Sequence, residues 1–60
     1  MDEETKIEIA GHLIATHDHL IAAHAKICDI EERTGVDLER TRNMLLKSLR
    51  DVDDAIASIG

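Results

Sequence analysis

A chain of 60 residues without a single aromatic side chain has room for one small core, which must be built from Ile, Leu, Val, Ala and Met. Its formal net charge of −6, with seven Lys and Arg scattered among acids and apolar positions, repels phosphate backbones, so nucleic acid is not an expected partner. One cysteine forms no intramolecular disulfide, and a free thiol without an export signal fits a reducing, cytoplasmic setting.

The N-terminal MDEETKIE is acidic and no apolar run approaches about 18 residues, so neither a signal peptide nor a membrane span is expected. Asp2, Glu3 and Glu4 suit the positive end of a helix dipole. From there to Arg33 no proline intervenes, and the chain is rich in Ala, Leu, Ile, Glu and Lys, which favour helix. Ile7, Ala10, Leu13, Ile14, Leu20, Ile21, Ile27 and Cys28 recur at three- and four-residue steps, covering an arc of roughly 160° on a helical wheel. Packing against one partner helix needs only about 100°, so helix 1 is expected to touch more than one neighbour. Gly11, Ala15, Ala22 and Ala25 lie beside that arc. Alanine is simply the best helix former, and a close-contact face is the alternative reading.

Thr34-Gly35-Val36-Asp37 breaks the pattern. Gly35 can take the left-handed conformation that ends a helix, Val36 can fold back on the last turn, and Asp37 can cap the next helix. Leu38, Leu45, Leu49, Val52, Ile56 and Ile59 then share one face of helix 2, with Thr41, Ser48 and Ala55 continuing it. The expected organisation is one all-α unit over residues 1–60: helix 1 about 3–33, a turn at 34–37 and helix 2 about 38–59.

So short a turn makes the helices antiparallel neighbours. At about 1.5 Å per residue, helix 1 outruns helix 2 by about ten residues, leaving Ile7 and Ile9 without a partner. Chains of this size commonly need a metal or a second subunit. Two such antiparallel helical hairpins closing into a homodimeric four-helix bundle is the simplest arrangement that buries the excess. In topology and length alone, this resembles the ROP-type dimers of helical hairpins, and no functional residue follows from that likeness.

All four histidines and the cysteine fall between Gly11 and Ile30. His17 and His24 lie near the centre of the apolar arc, about 10.5 Å apart along the axis, too far to share one metal ion. Buried neutral, they would acquire charge below about pH 6 and loosen the bundle. No two histidines are three or four residues apart and no HExxH motif occurs, which sets aside the common zincin and di-iron patterns. His24 and Cys28, four apart, meet on adjacent turns. Two such pairs across a twofold axis make a Cys2His2 zinc set. Small Ser48 and Ala55, expected opposite His24 and His17, leave room for a haem held by histidines of two chains. The candidate metal residues are therefore His24 and Cys28, with His17 as a third. The plainer reading makes all three packing residues. Glu31 and Glu32 are expected to lie across the turn from Arg40 and Arg42.

No Gly-rich phosphate loop exists, and a bundle this small offers little concave surface to a substrate. An enzyme is not expected. The expected function is a small acidic interaction or regulatory module, a homodimer with an unidentified protein partner. A zinc- or haem-binding protein and an acidic nucleic-acid mimic are the alternatives.

Overall fold

The computed structural model describes residues 2–59, which form two helices packed against each other, α1 (Glu3–Thr34) and α2 (Glu39–Ile59). The hairpin measures 48 Å along its longest axis, the length that the 32 residues of α1 reach at ~1.5 Å each.

α1 starts where Asp2 turns extended and its carboxylate accepts the Thr5 N–H at 2.7 Å, which satisfies a donor the helix itself leaves free. Hydrogen bonds from the Thr5 side chain, and then from its backbone, hold the Asp2 carboxyl below its ordinary 3.8. At the other end Gly35 sits at φ 74°, ψ 4°, and its N–H returns to the Glu31 carbonyl at 2.8 Å. This is the left-handed ending that glycine adopts without strain.

Glu31 and Asp37 together start α2. Glu31 Oε2 accepts the Leu38 N–H at 2.8 Å, and Asp37 Oδ1 accepts the Glu39 N–H at 3.0 Å. Asp37 thus caps as expected, but the cap is shared with a carboxylate from the preceding helix. Val36 does not fold back: it stays 51% exposed, its N–H held 3.2 Å from the Thr34 hydroxyl.

The half-buried positions show how the helices meet. On α1, Lys6, Ala10, Leu13, His17, Leu20, His24, Ile27 and Glu31 alternate steps of four and three, with Ile9, Ala23 and Ile30 half-buried beside them. Leu38, just before α2, and Arg42, Leu45, Leu49, Val52, Ile56 and Ile59 within it do the same, with Ala55 half-buried beside them. This alternation averages 3.5 residues, the repeat of a coiled-coil seam. The Glu31–Leu38 hydrogen bond fixes the register, so that Leu20 stands level with Leu49 and Ala10 with Ile59. The α1 backbone before Ala10 runs past the level of Ile59, yet Lys6 and Ile9 stay half-buried and Glu3, Lys6 and Ile7 share a hollow with Ile56 and Ile59.

Among the described residues none is fully buried. Of the arc expected to form the core, α2 covers Ala10, Leu13, Leu20 and Ile27, together with the two histidines. Ile7, Ile14, Ile21 and Cys28 remain exposed, because a single partner helix spans only part of so wide an arc. Among the described residues, no helix is long and apolar enough to cross a membrane.

Candidate functional site

His24 and Cys28 come together on α1 as their spacing requires. Cys28 Sγ lies 3.9 Å from His24 Nδ1, with His24 half-buried in the seam and Cys28 exposed beside it. Adjacent turns of one helix bring such side chains onto one face.

His17 does not join them. Its Nε2 lies 3.0 Å from Asp53 Oδ1 across the seam, and its Nδ1 is 3.9 Å from Asp18 Oδ1. Expected as a third candidate beside His24 and Cys28, it lies one full heptad from His24 along the axis and faces a carboxylate on the other helix. Of the expected neighbours, Ser48 is exposed and Ala55 is half-buried; the polar group that meets His17 is Asp53. Nor is His17 buried: its side chain keeps 27% of its surface. The Nε2–Asp53 contact links the two helices across the seam.

Glu31 is the residue whose weight sequence reasoning missed. One oxygen caps α2, while Oε1 lies 2.6 Å from Arg42 Nε. The Arg42 N–H is not aligned with that oxygen and makes no hydrogen bond, so the contact is ionic. The expected charge pairing across the turn is realised by Glu31 and Arg42, with Asp37 at 4.0 Å from the same guanidinium. The available signal was the heptad itself, which places Arg42 between Leu38 and Leu45 on the seam.

Among the described residues, no three His, Cys, Asp or Glu side chains converge to hold a metal ion. His24 and Cys28 supply half of a tetrahedral set. The surface hollows are shallow: one is lined by Ile7, Ala10, Ile56 and Ile59 where α2 ends, and another lies over Ala22, Ala25 and their neighbours on the outer side of α1. One exposed feature is an apolar row. Ile7, Ile14 and Ile21 expose 69%, 52% and 49% of their surface at heptad intervals along one side of α1, and Cys28 continues the row.

No protein-family model, curated protein or solved structure matches this chain.

Proposed function

We propose that the chain is a small, acidic, non-catalytic interaction module of the cytoplasm. It works as a homodimer, two hairpins closing into a four-helix bundle, and offers its polar outer surface to another protein rather than to nucleic acid. The observation that carries this reading is the imbalance of the hairpin itself: none of its described residues is buried, while a row of isoleucines stands exposed on α1. An isolated pair of helices with only half-buried contacts gains too little from burial to offset chain entropy. A second subunit supplies the missing burial. Native mass spectrometry at neutral pH tests it. The expected species is a dimer of the 6.7 kDa chain, unchanged by chelator. A folded monomer at micromolar concentration contradicts the reading.

One observation favours a second reading. Tetrahedral zinc bound to one sulfur and one nitrogen holds them about 3.6 Å apart, and Cys28 Sγ and His24 Nδ1 already lie at 3.9 Å. Two copies placing these pairs together would form a Cys2His2 zinc site and owe their assembly to it. A dimer that carries zinc and dissociates with chelator, or on Cys28→Ala, establishes this second reading. A dimer indifferent to both removes it.

A further inference from the structure

We draw no further inference here: the strongest candidate, the surface patch that Ile7, Ile14 and Ile21 leave exposed along the outer side of α1, carries nothing because nothing in the structure shows what covers it.

Discussion

Glu31 accepts the Leu38 N–H with one oxygen and faces Arg42 with the other, so a single side chain joins the end of α1 to the start of α2. Its alanine variant leaves a helix N–H uncapped and a largely covered guanidinium without its closest carboxylate, at a cost of roughly 1–2 kcal/mol. Glu31→Gln keeps an amide oxygen for the Leu38 N–H and should recover about half of that loss. Urea unfolding at one fixed chain concentration measures both; equal losses would mean that the ion pair, not the cap, is what matters. Gly35 is the second local determinant. At φ 74° a Cβ is strained even though open space surrounds it, and Gly35→Ala should cost about 1 kcal/mol while leaving the helices in place. At the opposite end, the Asp2 carboxyl is held below 3.8 by Thr5. Its folded-state value is depressed, so its contribution is present above the unfolded value near 3.8 and is lost as pH falls through the folded one. Amide exchange in the first turn of α1 should accelerate across that acid range, and Asp2→Asn, which still caps but does not titrate, should flatten the change. A first turn whose exchange ignores pH there, beyond the intrinsic chemistry, would contradict the assignment.

At the scale of the helices, the turn was legible because its signals are local: a glycine that must turn left-handed and an acid two residues later. The α2 face was legible for a similar reason, since all six of Leu38, Leu45, Leu49, Val52, Ile56 and Ile59 lie on the seam. Arg42 was not, because a charge at a seam position runs against hydrophobic periodicity and is explained only by Glu31 on the other helix. The His24–Cys28 contact followed from a spacing of four within one helix, whereas the Asp53 partner of His17 depends on register between helices, which sequence spacing does not fix. For α1 the apolar arc was visible, but its division was not. Ala10, Leu13, Leu20 and Ile27 face α2, and Ile7, Ile14, Ile21 and Cys28 lie one step round the helix, facing outward. The sequence shows a helix with two apolar rows; only the hairpin shows which of them α2 covers.

At the scale of the molecule, two consequences follow from the uncovered row. Each copy carries a formal charge of −6, so like-charge repulsion opposes the proposed self-association. Added salt screens that repulsion, with a Debye length that falls from about 10 Å at 0.1 M to about 3 Å at 1 M. The dimer should therefore tighten as sodium chloride rises over this range, a trend that sedimentation equilibrium resolves and that an assembly held mainly by opposite charges would reverse. The second consequence is the central one: with no described residue fully buried, the proposed homodimer is what would supply the burial the hairpin lacks. Linkage then makes stability depend on concentration. The measurement that tests this most directly is the thermal unfolding midpoint, followed by circular dichroism at 222 nm across a hundredfold range of chain concentration. The midpoint should climb steadily with concentration, with helicity and dimer lost together. A midpoint that stays fixed across the whole range, with helicity retained by a monomer, would show that the hairpin stands alone and would contradict the account.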